Sequence, residues 1–237
     1  MSDPKPINVG LLVFPKITQL EMTGPFEAFA RIPNAKVHLI WKNRDPVISD
    51  SGLPLMATTT FAECPPLDVI CVPGGPGQID LMEDDEVIDF VRRQGASAKY
   101  VTSVCTGALV LGAAGLLEGY RAATHWASMD NLPLFGATPV KTRVCIDRNR
   151  ITGGGVTAGI DFGLTLAGML ADRETAEAIQ LFLEYTPEPP FAAGSPDTAP
   201  KAVVDKTKVK IAPMLERRKA VSMAAAEKMK RAKPSAA

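Results

Sequence analysis

Four short runs constrain this chain more than anything else in it. Residues 7–14, 36–41, 67–72 and 100–104 are each almost wholly apolar or β-branched. A strand covered by helices on both faces reads as such a continuous run, whereas a half-exposed strand alternates. Between and after the runs lie helical patterns at 26–32, at 84–98, from the glycines at 153–155 to about Leu170, and at 174–185. Strands alternating with helices predict an α/β fold built on a mostly parallel sheet with helices on both faces. Ligands of such sheets collect beyond the carboxyl ends of the strands. The chemistry is therefore to be sought in the residues that follow each run.

The run at 100–104 leads into Cys105. From Thr106 the residues are small or unbranched and apolar (Ala108, Leu109, Leu111, Ala113, Ala114), which predicts a buried helix. A cysteine at that change of structure sits on a sharp turn, an elbow with its side chain exposed, and the first helical amides point at it. Those amides and the helix dipole favour an anion, so the thiol is expected to ionise more readily than a free cysteine. A small apolar core residue is the other reading of Cys105. The strand–cysteine–helix context favours the reactive one.

Three other strand ends carry candidates. After the first run, Glu21 stands between apolar neighbours, a setting that raises a carboxyl pKa, and Pro25 suits the first turn of a helix starting near Phe26. Favourable helix-dipole electrostatics is the plainer reading of Glu21. The third run enters Pro73-Gly74-Gly75-Pro76-Gly77. This loop lacks the Lys-Ser/Thr of a phosphate loop and the glycine spacing of a dinucleotide fingerprint, so backbone amides aimed at an oxyanion suit it better than a nucleotide. The hairpin predicted at 140–152 runs into Gly153-Gly154-Gly155-Val156-Thr157, a loop expected to line the same pocket. His125 follows Thr124 and reads either as an acid–base group or as a hydrogen-bonded polar group beside the site. His38 lies inside a strand and reads as structural.

The remaining composition mainly excludes. Four scattered cysteines without Cys-x-x-Cys spacing and two histidines make no zinc pattern. Reduced thiols point to the cytoplasm, and neither a leader peptide nor a membrane-spanning run is evident. The 26 basic and 26 acidic residues balance, which gives no argument for nucleic acid. The balance is uneven along the chain: residues 201–237 hold eleven Lys or Arg against three Asp or Glu. We divide the chain into a body, 1–200, and a basic, Ala-rich extension, 201–237, with a helix expected from Met214 to Arg231. Pro187–Pro200 is too rich in proline for a regular element.

The segments 20–25, 68–75, 101–117, 124–126, 152–166 and 193–199 together resemble the PfpI superfamily of flavodoxin-like domains, and within it the branch that hydrates organic isocyanides. The likeness covers nearly the whole chain, with the last thirty or so residues loosest. It implies a flavodoxin-like doubly wound fold and cofactor-free conversion of an isocyanide to an N-substituted formamide. Cys105 would be the nucleophile and Glu21 the general acid and base. The amides of Gly75 and Thr106 would hold developing charge, and the Thr106 hydroxyl the water or the substrate nitrogen. Gly154, Val156, Thr157 and His125 would border the substrate. A homodimer with no metal, nucleic acid or membrane partner is implied as well. The hydratases of the superfamily carry Asp where this chain has Glu21, whereas Glu is usual in its other branches, so the acid is kept with a longer reach. Deglycase, amidase or peptidase activity, or redox or ligand sensing, are the alternatives. Thr106 stands where the peptidases place a histidine, and the tail is too short for the paired helix-turn-helix unit of AraC-type regulators.

Overall fold

The computed structural model describes residues 5–232. In chain order it contains β1 (Ile7–Leu12), α1 (Leu20–Phe29), β2 (Ala35–Trp41), β3 (Val47–Ile48), β4 (Pro54–Leu55), β5 (Thr59–Thr60), β6 (Val69–Val72), α2 (Gln78–Leu81), α3 (Asp85–Ser97), β7 (Tyr100–Val104), α4 (Gly107–Ala113) and β8 (Arg121–Ala122). A 3₁₀ helix (Trp126–Phe135) follows, then β9 (Thr138–Pro139), β10 (Val144–Asp147), β11 (Arg150–Gly153), α5 (Ala158–Leu170), α6 (Arg173–Phe182) and α7 (Lys201–Arg231).

Seven strands form one sheet in the order β10-β11-β7-β6-β1-β2-β5. Every pairing in it is parallel except the β10–β11 hairpin. The four residues of β6 and the last four of β1 are buried, as strands under two helical layers require. The chain steps from β1 outward to β2, then returns to β6 on the other side of β1 and proceeds to β7 and β11. Right-handed crossovers in opposite directions put helices on opposite faces. Accordingly α1, α5 and α6 pack together, while α4 packs with α3, α7 and the 3₁₀ helix. This is the doubly wound, flavodoxin-like α/β arrangement expected from the runs. The order reverses between β1 and β6, and the segments after those two strands carry Glu21 and the glycine cluster.

Three elements of the body differ from the sequence expectation, each for a local reason. Helix α1 begins at Leu20, so Pro25 lies inside it and Glu21 falls in its first turn. Proline there forfeits only the bond to the Glu21 carbonyl, and that loss is tolerated so near the helix start. Helix α4 is short, ending at Ala113 before Gly115 at φ +76°. The 3₁₀ helix has no apolar periodicity to announce it and is closed by Gly136 at φ +73°.

The C-terminal helix starts at Lys201 rather than Met214, with Pro200 as its N-cap and Pro213 inside. It docks on the body through Arg218, Val221, Ser222, Ala225, Ala226 and Met229, a stripe with the three- and four-residue spacing of one helical face. Beyond Ala232 the basic extension lies outside the described residues.

Candidate active site

Cys105 closes β7 with φ +55°, a left-handed conformation that costs a side-chain-bearing residue about 1–3 kcal/mol. Its neighbours over-determine that bend. The Cys105 amide donates to the Gly153 carbonyl (3.1 Å), and its carbonyl accepts from Thr124 Oγ1 (2.8 Å). The next turn passes so close to β6 that a Cβ on Gly107 would fall 1.9 Å from the Val72 carbonyl oxygen. Three strand ends, β6, β7 and β11, thus fix the elbow that the sequence announced.

Glu21 reaches this elbow from α1. Its Oε2 accepts the Gly74 amide at 2.6 Å, and its carboxyl group hydrogen-bonds the Cys105 thiol. The Thr106 amide donates to the same sulfur. Gly74 is wedged between these groups: a Cβ there would lie 2.4 Å from Thr106 Oγ1 and 2.7 Å from Glu21 Oε2. Gly75, at φ +127°, donates its amide to Thr106 Oγ1 (3.2 Å), so this amide is engaged by the hydroxyl rather than standing open. Gly74, which the sequence reading passed over in favour of Gly75, is the glycine in contact with the acid.

Two expectations about the thiol are corrected. Cys105 is not exposed: only 4% of its surface is accessible, and Glu21 shows 1%. Nor is the thiol easier to ionise than a free one. Burial first, then the charge and hydrogen bond of Glu21, push it well above the ordinary cysteine range, against the opposing Thr106 amide and Arg218. The elbow amide is present, but α1 and the Gly74 loop exclude water, and desolvation outweighs a single donor. Burial likewise raises Glu21 to about 8, despite its bonds to Cys105 and Gly74 and the charge of Arg218. Glu21 therefore holds its proton at neutral pH. The two groups form a coupled pair in which a carboxylic acid faces a sulfur.

A cavity of about 730 Å³ adjoins the elbow, lined in part by Thr124, His125, Arg143, Gly154, Val156 and Thr157. The structure thus brings the predicted glycine loop and His125 onto one cavity, while Cys105 and Glu21 lie behind its wall. Thr124 belongs to both, since it lines the cavity and bonds the Cys105 carbonyl. Arg143 braces the loop by donating to the Thr157 carbonyl (3.0 Å) and to Asp161 (2.6 Å), which Tyr185 also bonds. His125 Nδ1 accepts from the Ala127 amide, capping the 3₁₀ helix. Burial, then the charge of Arg218, lower His125 to about 4, so it is a neutral wall and cap at physiological pH. His38 is structural, between Thr59 and Asn8. No cluster of three metal-ligating side chains occurs among the described residues.

Sequence reasoning missed Arg218. Its guanidinium lies beneath the site, 3% exposed, on the docking stripe of α7. The available signal was an arginine four residues before Ser222 and seven before Ala225, in register with a small-residue face.

Comparison with known proteins follows the same outline. Residues 8–169 match the DJ-1/PfpI family. A protein of Pseudomonas putida named isonitrile hydratase is 57% identical over 223 residues, spanning 94% of this chain and 98% of that protein. The crystal structure of a ThiJ/PfpI family protein from Pseudomonas syringae superposes with a TM-score of 0.90 at 45% identity, covering 92% of this chain and 90% of the other. The HTH-type transcriptional regulator GbdR of Pseudomonas aeruginosa is 29% identical over 76% of this chain but only 51% of its own length.

Proposed function

The chain belongs to the DJ-1/PfpI family, and from that premise we propose that it is an isocyanide hydratase, a cofactor-free hydro-lyase. It adds water to an organic isocyanide, R–N≡C, and releases the formamide R–NH–CHO. One observation carries the reading: a carboxyl group with 1% of its surface accessible, held by the Gly74 amide beside the likewise buried sulfur of the elbow, where burial keeps it protonated at neutral pH. The near full-length likeness to an isonitrile hydratase supports the same substrate class.

Hydration requires a proton delivered to carbon. The isocyanide carbon accepts the Cys105 sulfur and needs a proton as that bond forms. With the pair in its singly deprotonated state, sulfur supplies the electron pair and Glu21 the proton, giving the thioimidate Cys–S–CH=N–R. The Glu21 carboxylate then takes a proton from water as hydroxide adds to the thioimidate carbon. Transfer of a proton from oxygen to nitrogen and expulsion of the thiolate release the formamide and restore the pair. The Thr106 amide, already on the sulfur, stabilises the thiolate at both ends of the cycle. The Thr106 hydroxyl, held by Gly75, is placed to hold the water or the substrate nitrogen.

Burial of the sulfur also sorts substrates. An isocyanide presents its reactive carbon at the tip of a linear two-atom head, so it passes a narrow approach while R stays in the cavity beside Val156, Thr157 and His125. A peptide carbonyl, flanked on both sides, has no such tip. We assign the cavity to R on that ground. The protein is cytoplasmic in this reading: its cysteines are free, and no helix among the described residues is long and apolar enough to cross a membrane. It is a homodimer in which the exposed Leu181, Phe182 and Val209 are covered by a second copy. The body, 1–200, carries the catalytic pair, and within the extension, 201–237, the helix Lys201–Arg231 buttresses it. Four of the extension's eleven Lys and Arg pair with Asp80, Asp85, Asp205 and Glu227, and nucleic acid is not a partner in this reading.

The test is direct. Purified protein mixed with cyclohexyl or butyl isocyanide should convert it to the formamide, seen as the formyl proton by NMR. Cys105→Ala should abolish conversion. Formamide formation at the wild-type rate by that variant removes covalent catalysis from the account.

A further inference from the structure

Helix α7 buries one cation where an apolar residue would dock at less cost. Removing a charge from water is expensive unless an opposite charge compensates. Arg218 nevertheless forms no ion pair among the described residues, whereas its exposed neighbour Arg217 pairs with Asp80 and Glu83. Its partners are neutral: Nε donates to Gln78 Oε1 (3.1 Å), one terminal nitrogen to Ser128 Oγ (3.3 Å), and the other approaches Met214 Sδ at 3.7 Å. A guanidinium has five N–H donors, so these contacts leave part of its capacity unused. Gln78 is itself fully buried, and its Nε2 has no partner.

The two polar partners frame the elbow. Gln78 opens α2 directly after the glycine loop that binds Glu21, and its amide donates to the Gly75 carbonyl. Ser128 donates its amide to the His125 carbonyl on the opposite side. The guanidinium is thus gripped between the loop that holds the acid and the segment that flanks the cysteine. Its field reaches Glu21, Cys105 and His125. The other ionisable groups acting on the pair are Asp50, which opposes Glu21 ionisation, and Cys71, a neutral buried thiol. Neither supplies positive charge.

We propose that Arg218 is a positioning residue for the Cys105–Glu21 pair, a fixed buried cation brought in by the C-terminal helix that eases the placing of one negative charge on the pair when it reacts. Once singly deprotonated, the pair supplies in turn the counter-charge that the buried guanidinium otherwise lacks. The C-terminal extension is then part of the active site rather than an appendage. This rests on reading Cys105 and Glu21 as the reactive pair, but not on the identity of the substrate.

The experiment follows the rate of Cys105 oxidation by hydrogen peroxide, a reagent little larger than the water the mechanism admits, against pH, read by mass spectrometry of the Cys105 peptide in the full-length protein. Arg218→Met and Arg218→Gln remove the charge without leaving an unpaired one, and Arg218→Lys keeps it. For the Met or Gln variant, folded by circular dichroism, the profile should move to higher pH by about one unit or more, which is at least about tenfold in rate at a fixed pH below the midpoint. The Lys variant should stay close to wild type. A folded charge-free variant with the wild-type profile overturns the proposal. So does a Lys variant shifted as far as Met, because hydrogen-bond geometry would then be what matters. Oxidation needs no isocyanide. A shifted profile in a protein that makes no formamide would sink the hydratase reading alone, and an unshifted profile in an active hydratase would sink the Arg218 proposal alone.

Discussion

Replacing Glu21 with Gln should make the protein more stable, and increasingly so as the pH rises. The side chain keeps its shape, an oxygen to accept the Gly74 amide and a nitrogen to face the sulfur. What disappears is a titration. An acid whose folded pKa lies above its unfolded value binds a proton in the native state that the unfolded chain has released, so its stability is full below the unfolded pKa and is lost as pH climbs toward the folded one. For Glu21 that window runs from 4.5 to about 8. At about 1.4 kcal/mol per pH unit, wild type loses about 3 kcal/mol between pH 5 and pH 7.5 that the Gln variant keeps. Any fixed packing difference between acid and amide cancels, because only the change with pH is read. For a chain of this size the melting-temperature gap between variant and wild type should widen by roughly 6–12 °C over that interval. Thermal denaturation followed by circular dichroism at several pH values is the assay. A gap that stays constant with pH refutes the placement of a protonated acid in this interior, whatever the variant does to catalysis.

Further consequences concern the groups around the pair. Gly74→Ala places a methyl within 2.7 Å of Thr106 and Glu21, so it should cost several-fold or more in formamide production and lower the melting temperature, whereas Gly52→Ala, with nothing within 4 Å, should show only the modest strain of its positive φ. Thr124→Val removes the hydroxyl that holds the Cys105 carbonyl and should destabilise by about 1–3 kcal/mol in denaturant unfolding, with a slower reaction because the strained elbow relaxes. His125, lowered to about 4, should contribute no step to the pH–rate profile between pH 5.5 and 8, and His125→Gln should keep the shape of that profile.

The large architecture was legible because a doubly wound sheet writes itself into sequence as continuous apolar runs, and β1, β6 and β7 fall where those runs are. Cys105 was legible for the same reason, since an elbow needs a strand, a nucleophile and small residues in a fixed order. Burial was not. The sequence around Cys105 shows an amide-rich turn, but nothing in it says that α1, some eighty residues earlier, covers the sulfur. Glu21 was visible as an acid among apolar neighbours, yet the proline rule shifted its helix by two turns. Gly74 and Gly75 are indistinguishable by composition, and only the approach of Glu21 and Thr106 separates them. Arg218 lay in a tail described by its summed charge, whereas helical register, not composition, decides which of its cations faces inward.

The central claim is a covalent bond between Cys105 and the isocyanide carbon, followed by a hydrolysis that Glu21 drives. Intact-mass and peptide mass spectrometry of the wild-type protein, quenched with acid during turnover of cyclohexyl isocyanide, tests it most directly. The account predicts a species heavier by one isocyanide, located on Cys105 and consumed as formamide forms, and no such species in Cys105→Ala or, for want of the proton donor, in Glu21→Gln. A Glu21→Gln protein that makes formamide at the wild-type rate, or an adduct on any residue other than Cys105, would contradict it.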